Sequence, residues 1–196
     1  MKKMSIISVV LASVLLSGCF GITSITGSGG SGIQAVEGYT IYDGSSFKIL
    51  VPAGWEIITE RDLRSSMGQN VVAAFRNNVR NPEFTANVVI VKNVLTGEAK
   101  TIDYEKALYE KIKNSLSSFK ELAYDTTQVR VGGTMTDTLF TDVQGREGPD
   151  RDLKRFMHLS GVAGTTAYVA AGSMLVGESV DTAKKIETMI RSFEVE

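Results

Sequence analysis

Few residues of this chain have the type and spacing to do chemistry. Cys19 is the only cysteine and His158 the only histidine among 196 residues. A lone cysteine has no partner for an internal disulfide. A lone imidazole builds a transition-metal site only if carboxylates supply the other ligands, which no spacing in the sequence supports. His158 lies in an extended run between Met157 and Leu159, and there it reads as a structural or surface histidine ahead of a catalyst. No serine stands in a Gly-x-Ser-x-Gly run, so no nucleophile elbow is signalled. Asp137, Asp142, Glu147, Asp150 and Asp152 crowd one hairpin end, with Arg146, Arg151, Lys154 and Arg155 interleaved. That mixture describes a solvated loop better than an acid–base pair, and its spacing is not that of a calcium loop. Arg76 and Arg80 sit among asparagines, where they can meet an anion or simply be hydrated. The expectation is a chain with no catalytic set, no metal and no cofactor.

The elements that precede and position these residues begin with residues 1–18. Lys2 and Lys3 are followed by an apolar core, Ile6 to Leu16, and then by Leu16-Ser17-Gly18-Cys19, the layout of a secretory signal. Ser5, Ser8 and Ser13 interrupt the apolar run, which falls short of the roughly 18 uninterrupted residues that span a bilayer with confidence. A transmembrane anchor and an ordinary cleaved signal are the alternatives. The order Leu-Ser-Gly-Cys resembles the lipobox of bacterial lipoproteins. That resemblance implies cleavage between Gly18 and Cys19, a diacylglycerol thioether on Cys19 and an acylated amino group at the new terminus. Several chains on one residue make an essentially permanent tether. Lipoproteins of two-membrane bacteria that stay at the inner membrane tend to carry aspartate after the cysteine. Phe20 stands there instead, which favours the outer membrane, facing the periplasm, if the host has two membranes.

Residues 1–18 hold two of the 21 basic residues and none of the 22 acidic ones, so the remainder carries a formal charge of minus three. There is no basic excess with interleaved aromatics, and a nucleic-acid partner is not expected. Residues 19–38 are rich in glycine, serine and threonine and read as a flexible tether with an end-to-end distance of roughly 25 Å. Residues 39–196 suffice for one domain that buries roughly 70% of its unfolded surface.

Within that domain Phe47, Ile49 and Val51 alternate along a strand, and Pro52 and Gly54 force a reversal from which Trp55 to Ile58 returns as the next strand. Val71 to Phe75 and Ala86 to Val91 predict a second hairpin around Asn77 to Pro82. Asp103 can cap a helix in which Tyr104, Leu108, Ile112, Leu116 and Phe119 recur at helical spacing, with Glu105, Lys106, Glu110, Lys111 and Lys113 on its polar side. A membrane-surface helix is the sharper alternative, and the mixed charge argues against it. Gly132-Gly133 between extended runs signals a hairpin. Two more strands, Leu153 to Leu159 and Ala167 to Ala171, lead to a closing helix, Ser179 to Phe193, with Ser179 as its cap and Val180, Ala183, Ile186, Met189, Ile190 and Phe193 on one side.

This order, with Phe47-Lys-Ile-Leu-Val-Pro-Ala-Gly-Trp near the start and Met189-Ile-Arg-Ser-Phe at the end, resembles the PsbP-like family, which includes bacterial DcrB-type lipoproteins. The resemblance covers nearly all of residues 39–196. It implies an α+β domain whose antiparallel central β-sheet is flanked by helices on both faces, an α/β/α sandwich, used for docking or assembly and without shared catalytic residues. The functional expectation is a non-catalytic, lipid-anchored cell-envelope protein, held in the membrane through lipid on Cys19, that docks an envelope protein or helps assemble or maintain a complex. The alternative is a small-ligand or lipid-binding protein with a pocket between sheet and helix, lined by residues such as Trp55, Phe75, Tyr104 and Phe119, although such aromatics more often form a plain core.

Overall fold

The computed structural model describes residues 32–59, 62 and 70–196. Residues 1–18 with Gly18, and then Cys19 and most of the 19–38 tether, lie outside the described residues. Ten strands form one sheet: β1 (Tyr39–Asp43), β2 (Phe47–Pro52), β3 (Glu56–Thr59), β4 (Val71–Arg76), β5 (Asn87–Val94), β6 (Ser117–Val131), β7 (Thr134–Arg146), β8 (Lys154–Ala163), β9 (Thr166–Leu175) and β10 (Glu194–Val195). Two long helices among the described residues pack on it, α1 (Thr101–Ser115) and α2 (Val180–Arg191). The strand order is β1-β2-β10-β6-β7-β8-β9-β5-β4-β3. Every pairing is antiparallel except β10 with β6.

The sheet is curled. β1 and β4 stand near its opposite ends, yet the Tyr42 and Phe75 rings meet edge-on at 5.2 Å. Ile186, Met189 and Ile190 of α2 are fully buried within the curl, together with Phe47, Ile49, Phe75, Val88, Met157 and Phe193. Their periodicity is the closing-helix stripe expected from sequence, except that Val180 is 71% exposed. Close approach of α2 depends on Gly172 in β9, where a Cβ would stand 2.3 Å from Ile186 Cγ2. Gly172→Ala is expected to lower stability by about 1–3 kcal/mol through overpacking, read from the denaturation midpoint.

Helix ends follow local chemistry. Ser179 Oγ accepts from the Thr182 N–H at 3.1 Å, as its place ahead of the stripe predicts. Ser179→Ala should cost about 1 kcal/mol, whereas Lys100, the residue capping α1, makes no side-chain cap bond and its replacement by alanine should leave the denaturation midpoint nearly unchanged. α1 starts at Thr101, with Asp103 in its first turn and not at the cap. It also ends earlier than the spacing predicts. Leu116 is its C-cap, and Phe119 belongs to β6, where Ser117 pairs with Arg146 and Lys120 with Gln144. Tertiary pairing with β7 outweighs the helical spacing.

Two further expectations change. The reversal at Pro52 is present, with Gly54 at φ 83 and the Trp55 N–H donating to the Pro52 carbonyl at 3.1 Å. Its arms do not pair, however: β2 lies beside β1 and β10, while β3 pairs with β4 at the far edge. Trp55 is buried, so the turn sends the chain across the core, and turn residues fix a reversal without fixing the neighbour. The Gly132-Gly133 hairpin forms as expected, both glycines at positive φ (55 and 81), the two-residue turn whose twist matches its strands.

Candidate functional site

A cleft lies between α1 and the sheet. α1 packs over β7 and β8, and its Leu108 and Ile112 overhang β9 and β5 without filling the space above them. On the sheet side the positions are small or β-branched, Val89 and Val91 from β5 and Val169, Ala171 and Ser173 from β9, with Phe156 and His158 from β8. The cleft measures about 550 Å³, within the usual range for small-molecule sites. Gly145 pins one end: a Cβ there would meet Leu116 Cβ at 2.8 Å, so only glycine lets the end of α1 come down onto β7.

His158, on the cleft floor, is only 2% exposed. Its Nδ1 donates to Glu105 Oε1 at 2.6 Å, and Thr141 Oγ1 stands 2.7 Å from Nε2 and 2.9 Å from Nδ1. Glu105 is fully buried, and its Oε2 has no hydrogen-bond partner among the described residues. Thr141 is fully buried as well. The order hydroxyl, imidazole, carboxylate is that of a nucleophile, base and orienting group, but a hydroxyl with no accessible surface meets no substrate. The set ties α1 to β7 and β8.

Sequence reasoning placed Glu105 on the polar side of α1, and this is corrected. The buried stripe runs through Thr101, Glu105 and Tyr109 at four-residue spacing, and Thr101 Oγ1 accepts from the Val162 N–H at 3.1 Å. The available signal was that spacing, with Thr101 and Tyr109 on either side of the glutamate. Tyr109 closes the stripe against β6. Its hydroxyl donates to Glu121 and its ring meets Tyr124 at 4.7 Å. The hydrogen bond to Glu121, with burial and the carboxylate charge adding to it, raises the Tyr109 phenol from its ordinary 10.0 to about 12. A raised folded value gives stability that is complete below the unfolded value of about 10 and lost as pH climbs towards 12. Between those limits the wild type should therefore lose more of its denaturation midpoint than Tyr109→Phe does.

Other predicted positions are placed as follows. Trp55 and Phe75 are core residues around α2, Tyr104 and Phe119 lie on the α1 side, and none of the four lines the cleft. Arg76 and Arg80 are held by Glu56, Nη2 to Oε2 at 2.7 and 3.4 Å, so the anion they meet is supplied by the chain itself. The charged hairpin end is more ordered than a solvated loop. Asp142 is 4% exposed and accepts from Arg155 Nε at 2.8 Å. Lys154 Nζ reaches Glu147 at 2.6 Å and also stands 4.2 Å from the centre of the Phe84 ring. That bridge shows that the Arg76–Pro82 and Gln144–Asp152 loops share one end of the sheet. Among the described residues no three of His, Cys, Asp and Glu come together as metal ligands, and no helix is long and apolar enough to cross a membrane.

No protein-family profile and no curated protein matches the sequence. Solved structures do match the fold. Cyanobacterial PsbP (CyanoP) from Synechocystis sp. PCC 6803 aligns over 86% of this chain and 99% of its own, at 12% identity and a TM-score of 0.53. LpqN of Mycobacterium tuberculosis, described as involved in cell envelope biogenesis, aligns over 80% of this chain and 90% of its own, at 14% identity and a TM-score of 0.53. At such identities the likeness speaks for architecture alone: the chain has the PsbP-like fold.

Proposed function

We propose that the chain is a non-catalytic, lipid-anchored cell-envelope protein whose domain docks another envelope protein. The observation that carries this reading is the fold shared with LpqN, a protein of envelope biogenesis, in a chain that opens with Leu16-Ser17-Gly18-Cys19. The complete burial of Thr141 supports the non-catalytic part, because the one nucleophile–base arrangement among the described residues is sealed. The same reading places α1 and α2 on opposite faces of the sheet. Side chains alternate along a strand. His158 meets Glu105 of α1, while the adjacent Met157 points into the core that holds Ile186 of α2.

Intact mass and membrane fractionation of the native chain beside Cys19→Ala test the anchor. The expected result is added lipid mass and sedimentation with membranes, the outer membrane in a two-membrane host, for the wild type alone. Two soluble, unmodified proteins would overturn it. Crosslinked membranes then test docking, which fails if nothing is enriched over an unrelated lipoprotein tethered in the same way.

The cleft favours a second reading, a small apolar ligand held between α1 and β5–β9. Ala171→Phe, which places a ring in the cleft, should abolish any small molecule that co-purifies with the wild type and is detected by mass spectrometry of an extract. An extract of the wild type with no such molecule would count against it.

A further inference from the structure

β6 has 15 residues, and only two of them, Arg130 and Val131, pair with β10. On that side Ser117 to Val129 have no main-chain partner among the described residues. The outer edges of β1 and β3, at five and four residues, are far shorter. A long open edge is a template for another strand, and proteins commonly blunt such edges with bulges and charge. Here the blunting is confined to one part. Register shifts against β7 fall between Ser117 and Lys120 and between Glu121 and Ala123, and Ser118 has φ 54. From Ala123 to Val129 the pairing with β7 is regular, and the sequence Ala-Tyr-Asp-Thr-Thr-Gln-Val holds one charge, no proline and four residues of high strand propensity.

The hairpin turn tells which main-chain groups are free. Val131 and Thr134 close a two-residue turn, and such a closing pair exchanges both of its main-chain bonds. Bonded and non-bonded pairs then alternate along the ladder, so Val129, Thr127 and Asp125 bond to β7. Tyr124, Thr126 and Gln128 direct N–H and C=O away from it. The same parity continues at the far end, where β10 pairs with Arg130 and the Gly132 N–H donates to the Val195 carbonyl at 2.9 Å.

We infer that this edge pairs with the same edge of a second copy, antiparallel about a two-fold axis through Thr126. The stretch from the last bulge to the start of β10 is centred on Thr126, a residue whose main-chain groups face outward. An antiparallel self-pairing therefore fits the stretch without overhang and joins Tyr124 to Gln128 of the second copy at the positions where donors and acceptors are free. Charge is compatible: Asp125 faces Thr127 of the second copy, and no like charges oppose. The irregularity before Ala123 falls opposite Arg130 of the second copy, turning one strand aside where β10 of the other begins. A closed two-fold contact of this kind is the commonest form of self-association, and main-chain bonding supplies its recognition.

The test uses the full chain in its own host. A bonded antiparallel pair brings its Cα atoms to about 5.5 Å, within the roughly 4.4–6.8 Å that a disulfide spans. Thr126→Cys should therefore give a disulfide-linked dimer under mild oxidation, while Gly148→Cys, in the half-buried loop between β7 and β8, does not. Thr126→Pro removes an N–H that bonds nothing among the described residues, a place where an edge tolerates proline. It should keep the wild-type denaturation midpoint at dilutions where both are monomers, and sediment as a monomer where the wild type shifts to dimer with rising concentration. The inference is overturned if Thr126→Cys crosslinks no more than Gly148→Cys. It is equally overturned if Thr126→Cys captures a protein of different mass, or if Thr126→Pro keeps its fold and sediments as the wild type does.

Discussion

His158→Ala is expected to remove about 3–5 kcal/mol of folding stability, a large share of the roughly 5–15 kcal/mol that domains of this kind possess. The carboxyl of Glu105 is fully buried, and its Oε2 already lacks a partner among the described residues. Without the imidazole, Oε1 loses its 2.6 Å bond as well, and desolvation of the carboxyl stands uncompensated. A paired replacement separates this from a simple cavity effect. With Glu105→Leu and His158→Phe together, no buried charge remains, and the double variant should recover most of the loss, since apolar pairs of similar size are often neutral or stabilising there. Denaturant midpoints of the wild type, the single and the double variants decide it. A single variant within about 1 kcal/mol of wild type would show that the Glu105–His158 contact holds little in place.

Phe193→Ala is expected to cost about 3–5 kcal/mol as well, by a different route. Phe193 follows α2 and precedes β10; it is 2% exposed, and its ring stands 6.1 Å from that of Phe47 in β2. Its removal opens a cavity where the helix, β2 and β10 meet, and loosens the hold of Ser192 Oγ, which accepts from the Leu50 N–H at 2.9 Å. Loss of the β2–β10 bonds should accompany the fall in stability. Hydrogen exchange at Lys48 and Leu50 should then quicken more than at Ile90, in the central part of the sheet. Equal protection at all three would refute the coupling.

How far the fold could be read from sequence depends on where each decision is made. Alternation at Phe47, Ile49 and Val51, the double glycine at Gly132-Gly133, and the stripe through Ile186, Met189 and Ile190 are local signals, and each produced the element it predicts. Only the end of β6, beside the double glycine, is signalled locally. Its first residues, Ser117 to Phe119, continue the helical spacing of α1, and only pairing with Gln144 and Arg146 makes them a strand. β10 is two residues long and too short for any periodicity. At the cleft, His158 was legible as a satisfied structural residue, but its partner Glu105 was not, because a glutamate at a buried helical position is hidden by its own charge. The four aromatics chosen as pocket walls went elsewhere, since large apolar rings fill cores, and the space was left by Val89, Ala171 and Ser173.

The place of β10 also bears on when the fold can be completed. Of the ten strands it comes last in the chain, yet it lies third in the sheet and, among the described residues, is the only strand between the β1–β2 pair and β6. A chain emerging in sequence from a ribosome or a translocation pore therefore holds its first two strands in waiting until residue 195 is free. The long-range closure that joins them is then among the final events.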